Sequence, residues 1–224
     1  MSDYKINELF ETIQGEGQYT GTPSIFIRLQ GCPVGCAWCD TKHTWEQEPK
    51  DRVDIATMLD KTSDEPSWAE VNAAEILGIL KNKGFSAKHI VITGGEPCMF
   101  DLNPMCEQLH EAGYSTQIET SGTFEIQAPS DTWVTVSPKI NMKGGYDVLK
   151  SCMARANEIK HPVARQLHVD ELELLLQQAP VKPGTLIYLQ PISQKLSATE
   201  LAIETCIAKN WRLSVQVHKY LGIS

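Results

Sequence analysis

Beyond residue 68 the chain alternates short apolar runs with longer stretches in which apolar residues recur every three or four positions. The first such stretch, 68–83, carries Trp68, Val71, Ile76, Leu77 and Leu80 near one helical face and stops at Gly84, which predicts a helix. His89-Ile90-Val91-Ile92 reads as a buried strand. The same reading gives helix 101–112 ended by Gly113, strands 115–120 and 133–136, and helix 146–157. A short strand near 158–161, helix 168–178, strand 185–190, helix 197–210 and a last strand 212–217 follow. Before residue 68 one apolar strand stands out, 24–30, with a lone arginine, Arg28, that needs a carboxylate partner. Residues 4–23 lack periodicity and hold turn formers (Gln14-Gly15-Glu16-Gly17, Gly21-Thr22-Pro23), the pattern of a surface arm or of backbone close to a ligand.

Strand–helix alternation implies a parallel sheet with right-handed crossovers. Six or seven strands are too few for an eightfold barrel. The expected fold is therefore α/β, an incomplete (β/α)6-type barrel with a mostly parallel sheet and its site at the C-terminal strand ends. Residues 1–224 read as one domain, with 45–67 an irregular polar insertion whose tip is 61–66. After His218 six residues remain, too few for another helix, and they read as a short tail covering the pocket.

Composition narrows the partners. The chain has 224 residues, 42% hydrophobic and 21% charged, and a net charge of −8, which argues against a nucleic-acid surface or an anionic membrane. The opening stretch Met1-Ser2-Asp3-Tyr4-Lys5 has no apolar targeting core and no segment approaches a membrane span, so a cytoplasmic location is expected. Seven cysteines, three of them clustered, do not make a disulfide framework. Cys98, Cys106, Cys152 and Cys206 lie in separate segments and read as packed small residues.

The clustered three, Cys32, Cys36 and Cys39, have the spacing C-x3-C-x2-C directly after strand 24–30. Gly31, Pro33, Gly35 and Ala37 let the backbone wrap closely around an inorganic centre. Three thiolates leave a tetrahedral ion or a cubane cluster one ligand short, as a catalytic centre requires. A structural zinc site with His43 as fourth ligand, in the spacing Cys39-x3-His43, is the blander alternative that the geometry allows. Polar and turn-forming residues also gather just past the other strands: Thr93-Gly94-Gly95-Glu96-Pro97, Glu119-Thr120-Ser121-Gly122, Ser137-Pro138-Lys139, Gln190-Pro191-Ile192-Ser193 and His218-Lys219. A packed structural rim has no need of them.

C-x3-C-x2-C with an aromatic residue, Trp38, before the last cysteine resembles the signature of radical S-adenosylmethionine (SAM) enzymes. That resemblance implies a [4Fe–4S] cluster on Cys32, Cys36 and Cys39, with SAM on the fourth iron. The Gly94-Gly95-Glu96 turn resembles the motif that holds the methionine ammonium, and Ser137, Pro138 and Lys139 the residues that position its ribose and carboxylate. Trp38, Cys39, Asp40, Gln190 and Pro191 complete the implied SAM contacts.

The likeness extends further. Residues 7–17, the run Phe26-Ile27-Arg28-Leu29-Gln30-Gly31-Cys32, Cys39-Asp40-Thr41-Lys42 and Gln216-Val217-His218-Lys219-Tyr220 are similar to 7-carboxy-7-deazaguanine synthases of the queuosine pathway. The likeness is weakest over 45–70 and 165–183. It implies conversion of 6-carboxy-5,6,7,8-tetrahydropterin into 7-carboxy-7-deazaguanine with release of ammonia, SAM being regenerated. It also implies Mg²⁺ on Thr41, a small-molecule pterin partner, an electron donor such as a flavodoxin or ferredoxin, and a homodimer. Substrate contacts fall to Ile13, Gln14, Gly15, Glu16, Arg28, Thr93 and His218, and no side chain is assigned as a catalytic acid or base. Two other readings stay open: a radical SAM activase for a glycyl-radical partner protein, and a zinc-stabilised binding module.

Overall fold

The computed structural model describes residues 3–223; Met1 and Ser2 of the opening stretch and Ser224, the tip of the tail, lie outside the described residues. Strands β1 (Asp3–Ile13), β2 (Pro23–Leu29), β3 (Ala69–Asn72), β4 (His89–Gly94), β5 (Ser115–Thr120), β6 (Trp133–Val136), β7 (Glu158–Val163), β8 (Leu186–Pro191) and β9 (Arg212–Leu213) form one sheet in the order β3-β1-β2-β4-β5-β6-β7-β8-β9. From β2 to β9 every pairing is parallel, and β1 and β3 extend the sheet antiparallel at one end. The sheet is open, mostly parallel and mixed only at that edge, the architecture expected.

Helices α1 (Ile55–Leu59), α2 (Ala73–Lys83), α3 (Asn103–Glu111), α4 (Lys150–Arg155), α5 (Gln166–Gln178), α6 (Leu196–Lys209) and α7 (Val217–Leu221) complete the described elements. Every parallel crossover but one includes a helix; β5 reaches β6 through an irregular segment instead. Ile25, Ile27 and Leu29 of β2, Ile90 and Ile92 of β4 and Ile118 of β5 pack with Ile76, Leu80, Met105 and Leu109 of α2 and α3 into one core cluster. A second cluster joins Val134, Val136, Ile159, Val163 and Leu189 to α4, α5 and α6. Each such aliphatic side chain, fully buried, is worth roughly 1.5–3 kcal/mol.

Several elements differ from the sequence reading. Residues 3–13 are not an arm but the longest strand, 11 residues. Tyr4 and Ile6 are buried, then the register shifts between Ile6 and Glu8, so the next buried apolar residue is Leu9. That β-bulge slips the alternation by one residue and hides the strand from a period-2 search. Trp68 and Val71 belong to the approach to β3 and to β3 itself; α2 starts only at Ala73, behind a capping box of Asn72 and Glu75. Helix 146–157 shrinks to α4. The 45–67 insertion contains α1, capped by Asp54 and anchored by the buried Met58. Strand 212–217 ends at Leu213, and α7 forms in the tail that seemed too short for a helix, stopped by Gly222 in the left-handed region. No helix among the described residues is long and apolar enough to cross a membrane.

The face of the sheet away from the helices carries a row of polar side chains that the sequence reading did not single out. His89 Nε2 lies 2.9 Å from Gln117 Oε1, and Gln117 Nε2 donates to Thr135 Oγ1 at 3.1 Å, a ladder across β4, β5 and β6. Residues 14–20 cross this face instead of entering solvent. Tyr19 packs against His89 and Trp133, with centroids 4.3 and 5.2 Å away, and the Gln18 N–H donates to Glu158 Oε2 at 3.0 Å.

Candidate active site

The cysteine loop is fixed by its ends. Gln30, fully buried, donates to the carbonyls of His43 (3.1 Å) and Glu46 (2.6 Å) and accepts from Asn7 Nδ2 (2.7 Å). The Gly31 and Cys32 amides donate to Thr44 O and Trp45 O, so residues 30–32 and 43–47 are zipped together. The Gly94-Gly95 turn clamps the same loop. Gly95 N–H donates to Leu29 O and Glu96 N–H to Gly31 O. A Cβ on Gly95 would stand 2.1 Å from Gly31 O, and one on Gly94, at φ +123°, 2.2 Å from the Leu29 amide nitrogen. These glycines are required by the neighbouring backbone, whatever ligand they also approach.

Cys36 is buried and Cys32 and Cys39 half-buried, all free. Burial pushes the Cys32 thiol up to about 11 and raises that of Cys36 against the pull of Lys139. Such thiols become thiolates when a metal centre supplies positive charge among them, so the donor set fits one. Trp45 Nε1–H donates to Cys39 Sγ at 3.4 Å, and Thr41 Oγ1 is 3.6 Å from the same sulfur. Among the described residues the ligand atoms found together within 4.8 Å are those of Glu8, His43 and Asp64, not the cysteine sulfurs. His43 is turned away from the cysteine loop, with Nε2 3.9 Å from Glu8 Oε1, which removes the fourth ligand of the zinc reading.

A cavity of about 390 Å³ opens beside the loop, within the range of roughly 300–1,000 Å³ typical of small-molecule sites. It gathers all the sequence-predicted site residues except Pro138: Cys32, Cys36, Cys39, Trp38, Asp40 and Thr41; Thr93 to Glu96; Ser137 and Lys139; Gln190 and Pro191; Ile13 to Glu16, Arg28 and His218. Pro138 faces a smaller depression that Trp38 shares with His161 and His168. Lys139 Nζ donates to Ser137 Oγ at 2.6 Å.

Some predicted residues have protein partners that change their meaning. The Glu96 carboxylate accepts from Cys98 N–H (3.0 Å), Thr120 Oγ1 (2.6 Å), Ser121 N–H (2.8 Å) and Ser121 Oγ. Four bonds use a carboxylate's acceptor capacity, so Glu96 ties β4 to β5, and a ligand can meet only its backbone. Gln190, expected beside SAM, lines the cavity with Nε2 3.4 Å from Glu16 Oε1 and accepts from Ser214 Oγ at 3.1 Å. Arg28 Nε donates to Glu8 Oε2 at 2.7 Å, which supplies the carboxylate its place in a strand demanded.

The largest omission of the sequence reading is Lys160. It is almost fully buried, with Nζ 2.6 Å from Glu16 Oε2 and 2.5 Å from Glu119 Oε2, and both Lys160 and Glu119 line the cavity. Burial alone would push the Glu16 carboxyl up, but Lys160 overrides it and holds it down to about 2. Burial likewise opposes the Lys160 charge, and Glu119 and Glu16 outweigh it, raising its pKa. The available signal was Glu158-x-Lys160 two strands from Gln117-x-Glu119, charges at the strand period.

Behind them Glu158 is fully buried with Oε1 unpartnered, and burial raises its carboxyl to about 7. A raised carboxyl favours the protonated folded state, so its contribution is intact below the unfolded value of 4.5 and is lost as pH rises through 7. Glu158→Gln is expected to stabilise the chain by on the order of 2 kcal/mol at pH 8 and by nothing near pH 4. Urea midpoints at the two pH values check this; equal shifts at both would show that the Glu158 carboxyl is not raised on folding.

The tail closes one side. Val217 N–H donates to Gly15 O at 3.0 Å, Gln216 Nε2 to Glu16 Oε1 at 2.9 Å, and Lys219 Nζ lies 3.2 Å from Asp40 Oδ2. A Cβ on Gly15 would meet His218 Nδ1 at 2.4 Å. His218, Lys219 and Ile223 line the cavity.

Comparison with known proteins adds to this geometry. A family model described as a 4Fe-4S single cluster domain matches residues 13–128. The 7-carboxy-7-deazaguanine synthase of Escherichia coli (strain K12) is 55% identical over 221 residues, covering 99% of each chain. That of Buchnera aphidicola subsp. Schizaphis graminum is 52% identical over 220 residues, covering 98% of this chain and 99% of its own. The crystal structure of QueE from Escherichia coli superposes with a TM-score of 0.94 at 55% identity, covering 96% of this chain and 95% of that one.

Proposed function

The chain belongs to the 7-carboxy-7-deazaguanine synthases, and from that premise we propose how its cavity divides the work of turning 6-carboxy-5,6,7,8-tetrahydropterin into 7-carboxy-7-deazaguanine and ammonia. It is a radical SAM enzyme that uses a [4Fe–4S] cluster and SAM. The observation that carries the reading is that the cysteine loop and the charged row Glu16, Lys160, Glu119 open on one cavity.

Cys32, Cys36 and Cys39 hold the cluster, and Trp38, Asp40, Ser137, Lys139 and the backbone of Gly94 to Glu96 hold SAM. Bound there, these cofactors supply the radical chemistry, and the protein supplies orientation and exclusion of water. Gln14, Glu16 and the backbone at Ile13 and Gly15 read the polar edge of the pterin. Arg28, beside Thr93 in the β2–β4 register, takes its carboxylate. His218, on the tail that covers Gly15, closes the pocket. Thr41 offers its hydroxyl to Mg²⁺, a hard cation that keeps much of its water. An electron donor such as a flavodoxin or ferredoxin and a homodimeric state belong to the same proposal.

The test is an anaerobic assay with SAM, dithionite and the tetrahydropterin. The expected products are 7-carboxy-7-deazaguanine and one ammonia per turnover, with SAM undiminished and a Mg²⁺ stimulation that Thr41→Ala loses. Stoichiometric SAM consumption without the deazaguanine would contradict the synthase and fit an activase.

A further inference from the structure

We infer that Glu8 is a positioning residue for the reaction, one that aims the fork of Arg28 at the substrate's carboxylate. The inference rests on the reading that Arg28 binds that carboxylate, and it begins with the bulge in β1. The register shift between Ile6 and Glu8 makes Glu8 the direct cross-strand partner of Arg28 and sets Phe10 against Phe26. The bulged residue, Asn7, is fully buried and held from several sides. It donates to Gln30 Oε1 at 2.7 Å and to Ser67 O at 3.1 Å, and Lys61 Nζ donates to its carbonyl and side-chain oxygens. Gln30 in turn anchors the cysteine loop. Glu8 is thereby fixed in relation to the cluster ligands.

What Glu8 grips decides the geometry. It accepts from Arg28 Nε at 2.7 Å, and among the described residues Glu8 is the hydrogen-bond partner of that guanidinium. An arginine held by Nε keeps its two terminal nitrogens for a second acceptor, and these form the planar fork that pairs with a carboxylate through two parallel bonds. The Phe10 ring backs the plane, 5.9 Å from Arg28 Cζ, and stacks on Phe26 at 5.5 Å. Arg28, Phe10 and Phe26 all line the cavity, whereas Glu8 does not, so Glu8 acts through Arg28 and not on the substrate. Among the described residues its other oxygen has no hydrogen bond, and His43 Nε2 stands 3.9 Å away.

Without Glu8 the arginine stem is free to rotate, and a carboxylate must order it on binding. Glu8→Ala is expected to weaken equilibrium binding of the carboxytetrahydropterin to the unreduced, SAM-loaded enzyme by about tenfold. KM should rise in step, with kcat changed less than threefold. Glu8→Gln, whose amide oxygen still accepts from Nε, should recover to within about threefold of the parent. The tetrahydropterin lacking the 6-carboxylate is the control probe, and its affinity should be equal in parent and Glu8→Ala. The cluster absorbance should also be unchanged. Unaltered binding in Glu8→Ala would overturn the proposal. So would equal losses for both pterins, which would make Glu8 merely structural. Arg28→Ala separates the layers: if it leaves the carboxylate preference intact, the reading of Arg28 fails and takes the role of Glu8 with it.

Discussion

A Cys36→Ala chain, reconstituted anaerobically with iron and sulfide, is expected to hold no [4Fe–4S] cluster and to form no product, yet to stay folded. Three thiolates are the least that leaves one iron open for SAM, and with two the centre has no stable seat. No other thiol can step in. Cys98 and Cys106 lie in the core under β1–β5, and Cys152 and Cys206 in the core under β6–β8. Cys152 Sγ donates to Phe124 O and Cys206 Sγ to Arg212 O. The loop does not depend on the lost sulfur for its shape, because the Gln30 side-chain amide and the backbone amides of Gly31, Cys32, Gly95 and Glu96 hold it. The stability cost should therefore be small, about 1 kcal/mol. Iron content, the visible spectrum and urea unfolding separate the two effects. A Cys36→Ala protein with a full cluster and turnover would sink the assignment of the three ligands.

The chemistry was legible where it is local in the chain. Three cysteines within eight residues and the Gly94-Gly95 turn need no knowledge of the fold. Cys32, Cys36, Thr41, Ser137 and Lys139 met in one cavity because the C-terminal ends of parallel strands share a rim. What stayed hidden depends on register. Glu8 faces Arg28 only because of a bulge at Asn7, and a one-residue slip reverses which side chains share a face. Lys160 sits on β7, three strands from β4, and its two carboxylates come from β5 and from the loop after β1. No spacing along the chain records that meeting. At Gly94 and Gly95 the obstacle to a side chain is the backbone of residues 29–31, which only the fold brings there. The tail was expected to cover the pocket without forming a helix, yet α7 forms on five residues because tertiary contacts to Gly15, Glu16 and Asp40 support it where propensity alone could not.

Lys160→Met should be the most destabilising single change to the pocket, by about 3–5 kcal/mol at pH 8. The side chains are of similar length, so little packing is lost; what goes is the one ammonium bonded to both Glu16 and Glu119. Two half-buried carboxylates then remain side by side on the cavity wall with no cation between them. The pH dependence gives the test its sign. In the parent, Glu16 titrates at about 2 against 4.5 unfolded, so its stabilisation is complete above pH 4.5 and disappears as pH falls through 2. Remove Lys160, and the burial that opposed the Glu16 charge is no longer overridden, which raises its pKa instead. A raised carboxyl loses stability as pH rises. The variant should therefore unfold at a lower urea concentration at pH 8 than at pH 5, the reverse of an ordinary acid-sensitive domain. Adding Glu119→Gln to Lys160→Met should recover part of the loss, because one of the stranded charges is gone. If Lys160→Met matches the parent at pH 8, or the double variant falls lower still, the row is not held by charge and the floor of the pocket must be explained by packing alone.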